Sequence, residues 1–85
     1  MVNLMPKMLE ILEELNLRYG RTIHITQASE LFAEKLGILN RRTFNEKLDY
    51  LNLMGYIKYE RYDTELILTD KVIEKMKTLK ESERN

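Results

Sequence analysis

The 85-residue chain sets 14 Lys and Arg against 14 Asp and Glu, so it carries no net charge, and 44% of it is hydrophobic. That describes one folded domain, 1–85, with a thin core, since a chain this short buries only roughly 60% of its unfolded surface. The absence of Cys excludes disulfides, thiol nucleophiles and Cys-based zinc sites. No apolar run reaches the ~18 residues that cross a bilayer and no signal peptide opens the chain, so no membrane contact and a cytoplasmic location are expected.

Residues 4–19 have helical spacing. Leu4, Met8, Ile11 or Leu12, Leu15 and Tyr19 fall on one face, with Met5 and Leu9 beside it. Pro6 suits the first turn and Gly20 the stop. The alternating, β-branched stretch Arg21-Thr22-Ile23-His24-Ile25 reads as a short strand. Thr26 is the expected cap of a second helix over 26–36, with Ala28, Leu31, Phe32 and Leu36 apolar and Gly37 ending it.

Residues 38–40 form a tight turn. Asn40 is a good N-cap for a third helix over 40–54, whose buried stripe is Phe44, Leu48 and Leu51 and whose stop is Gly55. Residues 56–69 then read as a hairpin. Pairing Arg61 with Leu66 and Tyr59 with Leu68 would turn the chain through Asp63-Thr64 and set Ile57, Tyr59, Leu66 and Leu68 on one inward face. Thr69 or Asp70 caps a last helix over 70–80, with Val72, Ile73, Met76 and Leu79 on one side, and 80–85 is a polar tail expected to fray. The class is α+β, mainly α.

One stretch breaks the even charge balance. Residues 39–62 hold Arg41, Arg42, Lys47, Lys58 and Arg61 against Glu46, Asp49 and Glu60. With Phe44, Leu48 and Leu51 inside, the opposite face of the third helix carries Arg41, Arg42, Asn45, Glu46 and Asp49. Catalysis finds no support, because there is one His and neither a Gly-rich phosphate loop nor a metal-ligand cluster. No enzyme activity, metal or other cofactor is therefore expected.

Two short helices joined by a tight turn and followed by a hairpin suggest a helix-turn-helix with a wing. On Leu36-Gly37-Ile38, Thr43-Phe44, Leu48, Leu51-Asn52-Leu53-Met54-Gly55-Tyr56-Ile57 and Leu66-Ile67-Leu68-Thr69, the chain resembles the winged-helix family. The pattern is similar to that of MarR-like and ArsR-like repressors and of the winged-helix domains of archaeal origin-recognition proteins. It covers roughly residues 22–75. The resemblance implies a winged helix-turn-helix with a short two-stranded wing, binding double-stranded DNA as a small, nucleoid-associated transcriptional regulator. An archaeal or thermophilic source agrees with Gln27 being the only glutamine while Lys and Glu abound.

In that frame Arg41 and Arg42 reach guanine and Asn45 reads adenine. Lys47 lies on the flank, Lys58 and Arg61 touch phosphates from the wing, and Thr26 and Gln27 offer donors to a phosphate. Glu46 and Asp49 would repel phosphates, and Arg42 can equally pair with Glu46 on a solvated helix face. His24 reads as structural. Tyr50, Tyr56, Tyr59 and Tyr62 near the wing could pack on nucleotides, but Tyr59 reads as core and the other three as ordinary amphipathic packing. A winged helix serving only protein–protein contacts is the alternative function, and nothing marks a small-molecule effector pocket. A homodimer through Met5, Leu9, Leu12, Ile73, Met76 and Leu79 is expected, because the first helix carries more apolar residues than a ~100° stripe requires.

Overall fold

In the computed structural model, which describes residues 4–83, the elements follow the expected order: α1 (Met5–Tyr19), β1 (Thr22–His24), α2 (Ile25–Leu36), α3 (Arg41–Leu53), β2 (Ile57–Lys58), β3 (Glu65–Leu68) and α4 (Asp70–Glu83). The molecule is α+β and mainly helical, with a small antiparallel sheet. Residues expected to fray from 80 are helical through Glu83, and 84–85 lie outside the described residues.

Local chemistry sets the helix ends. Asn40 caps α3 as expected, its Oδ1 accepting from the backbone N–H of Arg42 at 2.7 Å and of Thr43 at 3.3 Å. The cap of α2 is His24 rather than Thr26. The His24 ring Nδ1 accepts from the Thr26 N–H at 3.2 Å, and Gln27 Oε1 accepts from the His24 N–H at 3.0 Å, a reciprocal capping box. Thr26 thus stands inside the first turn, its hydroxyl 2.8 Å from the same ring nitrogen. At the far end of α3, Gly55 (φ +80°) makes the left-handed turn. The Tyr56 N–H bonds to the Leu51 carbonyl and the Gly55 N–H to that of Asn52, each at 3.0 Å, which is a Schellman stop.

The sheet has the order β1-β3-β2, with every pair antiparallel. Strand β1 therefore joins the hairpin across its central strand, pairing Thr22 with Ile67, Ile23 with Leu66 and His24 with Glu65. The hairpin register differs from the expected one. Ile57 pairs with Leu68 and Lys58 with Ile67, a shift of two residues. Because side chains alternate with period two, the shift keeps the same residues inward, and Ile57, Tyr59, Leu66 and Leu68 are all buried. The turn is made by Glu60–Asp63, not by Asp63-Thr64. The Asp63 N–H donates to the Glu60 carbonyl and the Asp63 carboxylate accepts from the Glu60 N–H, both at 3.0 Å. Those bonds close the loop earlier than a two-residue connection would, and they leave β2 only two residues long.

The buried sheet face packs with the helices into one core. Helix α1 supplies Met8, Leu9, Ile11, Leu12 and Leu15, α2 Ile25, Ala28, Leu31 and Phe32, α3 Phe44, Leu48 and Leu51, and α4 Val72 and Met76. Leu9, Leu12 and Met76, expected at a dimer interface, are thus covered by the domain itself. Met5 and Ile73 are half-buried against the core, and Leu79 keeps 36% exposure.

Helices α2 and α3 meet through Phe32 and Phe44, whose rings sit edge to face with centroids 5.3 Å apart, a geometry that contributes about 0.5–1.5 kcal/mol beyond burial. Replacing Phe44 with Ala should therefore cost about 3–5 kcal/mol in urea denaturation. Leu53→Ala, at a residue 82% exposed, should move stability by less than ~0.5 kcal/mol. Equal losses in the two variants would contradict this account of the core.

Candidate nucleic-acid interface

The two arms of the candidate site are α3 and the β2–β3 hairpin. Gly55 turns the chain directly from one into the other, and three contacts from the start of α4 fix that corner. Thr69 Oγ1 donates to the Gly55 carbonyl at 2.6 Å, Lys71 Nζ donates to the Met54 carbonyl at 2.7 Å, and the Thr69 N–H donates to the Tyr56 carbonyl at 3.1 Å. Thr69 also caps α4, its hydroxyl accepting from the Val72 N–H at 3.3 Å. The Lys71 ammonium lies 5.5 Å from the centre of the Tyr56 ring. From α3 itself, Asn52 Oδ1 accepts from the Tyr59 N–H at 3.4 Å.

Between the two arms runs an open groove of about 680 Å³. Arg41, Arg42, Asn45, Glu46 and Asp49 form its α3 wall, Tyr59 and Arg61 to Thr64 form the hairpin wall, and Ile25 closes the end beside α2. The structure thus brings Arg41, Arg42, Asn45 and Arg61 into one groove. Arg41 makes no ion pair among the described residues. Arg42 lies 3.7 Å from Glu46, and both side chains are well exposed, so the pair contributes little to stability.

Four of the expected contact residues lie elsewhere. Lys47 is half-buried and off the groove. Thr26 and Gln27 are occupied in the α2 cap described above. Lys58 pairs across the ladder with Ile67, which pairs in turn with Thr22. That row lies on the outer sheet face, where Lys58 shares a shallow concavity with Arg21, Asp70 and Lys71. The alternation that buries Tyr59 turns Lys58 the other way. Asn45 is in the groove, but its Oδ1 is shut from solvent with no hydrogen-bond partner. In this rotamer it cannot make the two-point contact with adenine, which uses both amide atoms.

Asp63 joins the two acids, Glu46 and Asp49, that sequence reasoning set against phosphate contact. Three carboxylates, of Glu46, Asp49 and Asp63, line the same groove as the three guanidinium groups of Arg41, Arg42 and Arg61. The groove is therefore close to neutral, like the whole chain. Sequence reasoning preferred ordinary packing for Tyr62 over a nucleotide contact. Tyr56 and Tyr59 are buried as packing residues and Tyr50 is 45% exposed, whereas Tyr62 is 97% exposed.

Among the described residues, no group of three His, Cys, Asp or Glu is placed to hold a metal ion, and no helix is long and apolar enough to cross a membrane. Comparison with known proteins returns no match, whether to family models, to curated proteins or to solved structures.

On the outer sheet face Arg21 holds the Asp70 carboxylate by a hydrogen bond and by charge, with Lys58 adding attraction. Together these lower its pKa from the ordinary carboxylate value, against an opposing effect of burial that exceeds the Lys58 contribution. A depressed folded-state pKa stabilises the fold above the unfolded value, and the contribution is lost as pH falls through the folded one. The side chain is 90% exposed, so the effect should be small. Asp70→Asn should flatten the acid limb of a stability-versus-pH curve while leaving neutral-pH stability slightly lower. An unchanged acid limb would show that Arg21 does not hold the carboxylate in solution.

Proposed function

We propose that this protein is a winged-helix domain that binds double-stranded DNA. Helix α3 lies in the major groove, the β2–β3 hairpin is the wing, and the protein acts as a small transcriptional regulator. One observation carries the reading. Arg41 and Arg42 on the first turn of α3 and Arg61 on the hairpin turn converge on a single open groove. The first turn is where a recognition helix reaches base edges, and Arg is the common bidentate partner of guanine. Supporting it are the short turn between α2 and α3 and the pairing of β1 with the hairpin's inner strand.

A homodimer belongs to the same proposal. Two modest basic footprints would bind together on half-sites about one helical turn apart. Of the residues expected to form its interface, Met5, Ile73 and Leu79 retain surface for the purpose.

A second reading, a winged helix that docks a protein without binding DNA, is favoured by Glu46, Asp49 and Asp63. Carboxylates repel phosphates, and a neutral groove gives little non-specific affinity.

Fluorescence anisotropy with mixed-sequence duplex at low and moderate salt separates the two. DNA binding predicts affinity that falls with salt. Changing Arg41 and Arg42 together to Ala should cost roughly 1–3 kcal/mol for each guanine-reading Arg. Arg61→Ala should flatten the salt slope by about one, the mark of a lost phosphate contact. Lys58→Ala, on the far face, should bind as the parent does. No binding at low salt would support the protein-docking reading, and parent-like binding by the double Arg variant would move the contact off α3.

Sedimentation equilibrium tests the dimer. The expected mass is twice the 10.2 kDa of the chain, falling to the monomer value in Ile73→Glu. A parent protein at the monomer mass would remove the dimer from the proposal.

A further inference from the structure

The turn that closes the hairpin contains a contradiction. Among the described residues, the backbone adopts positive φ at Gly20, Gly37, Gly55 and Tyr62. Three of the four are glycine, the residue that adopts this conformation without a steric penalty. The fourth is a large aromatic at φ +78°. Its place is the third position of the Glu60–Asp63 turn, where a type II turn requires positive φ and favours Gly or Asn. A bulky side chain there strains the backbone.

Packing offers no compensation. Tyr62 is 97% exposed, so its ring is not held by the core, and no hydrogen bond to its hydroxyl is formed among the described residues. The turn would be satisfied equally well by glycine. Strain that the fold does not need, held on a rigid turn beside a binding groove, is the kind that marks a contact residue. The site of the strain agrees. Tyr62 lines the groove next to Arg61, on the wall opposite Arg41 and Arg42. The turn that holds it is closed by two hydrogen bonds between Glu60 and Asp63, so the ring is carried on an ordered backbone.

We infer that Tyr62 is a DNA-contact residue, its ring lying on the deoxyribose face of the strand beside the bases that α3 reads. The inference rests on the DNA-binding reading above. The chemistry follows from the side chain. Tyrosine has an apolar body and a polar tip, and a sugar–phosphate strand offers an apolar sugar with an acceptor oxygen beside it. A neutral groove gains little from charge, so a contact built on packing supplies affinity that phosphate neutralisation does not.

Unfolding and DNA binding, measured on the same variants, test this. Tyr62→Gly relieves the strain, and Tyr62→Asn removes the ring with a residue that tolerates positive φ and keeps the turn ordered. Both should unfold at the parent's urea midpoint or above it. Both should lose roughly tenfold in duplex affinity at fixed salt, with the salt slope unchanged because no charge is removed. Tyr62→Phe keeps the ring and should fall between these and the parent. Variants that bind as the parent does, or that are clearly less stable than it, would overturn the assignment of Tyr62 alone. A parent protein that binds no duplex at low salt would overturn the DNA-binding reading and this inference with it.

Discussion

The geometry of the groove depends on a three-residue corner, Met54-Gly55-Tyr56. All three of its carbonyls accept from the start of α4: Met54 from Lys71, Gly55 from the Thr69 hydroxyl, and Tyr56 from the Thr69 N–H. Carbonyls at a helix end have no partner within the helix, and here a different element supplies them. The angle between α3 and the hairpin is thus set from the start of α4, which contributes no residue to the groove lining. A Cβ at Gly55 would stand 3.4 Å from the Lys71 side chain at a φ of +80°. That is an ordinary contact with a flexible side chain, so the left-handed backbone of the turn, not a close approach, explains glycine at this position.

The groove so formed is chemically mixed. Three arginines and three carboxylates share it, and the Asn45 amide oxygen is shut from solvent without a donor. Such a surface discriminates better than it attracts. A ligand has to match both signs at once, whereas a uniformly basic surface accepts any polyanion. For a nucleic-acid reader this means weak background binding and a strong reliance on base edges and packing.

Much of this was legible in the sequence, for local reasons. Gly20, Gly37 and Gly55 each stand where φ is positive, and Asn40 is a cap whose chemistry is complete within three residues, so helix boundaries fell within one to three residues of those expected. The inward face of the hairpin was legible because a two-residue slip leaves it unchanged. The register itself was not, since it depends on the Asp63 carboxylate closing the loop early. The His24 cap was hidden because histidine is an uncommon N-cap, although Gln27 three residues on carried half of the capping-box signal. The groove arginines followed from helical periodicity. Lys58 was misplaced because a charge count over a segment ignores that Lys58 and Tyr59 face opposite sides of a strand. The dimer expectation overcounted because α1 buries residues toward the sheet and two helices at once, a wider arc than a single neighbour would need.

The pairing of β1 with β3 has a consequence for how the chain reaches this state. Thr22 and Ile67 are more than half the chain apart, and α2 and α3 both lie between them. The Ile25 N–H to Thr64 carbonyl bond and the Leu68 N–H to Arg21 carbonyl bond close the two ends of that ladder. During synthesis the two helices on the groove side can form and meet through their phenylalanines, but nothing seals them until the ribosome has delivered residues 65–68. Closing so long a loop is slow compared with helix formation. The half of the molecule that carries the groove is therefore expected to exist first as a loose helical hairpin, and to gain its fixed geometry in one late step, when the central strand slots between its two neighbours.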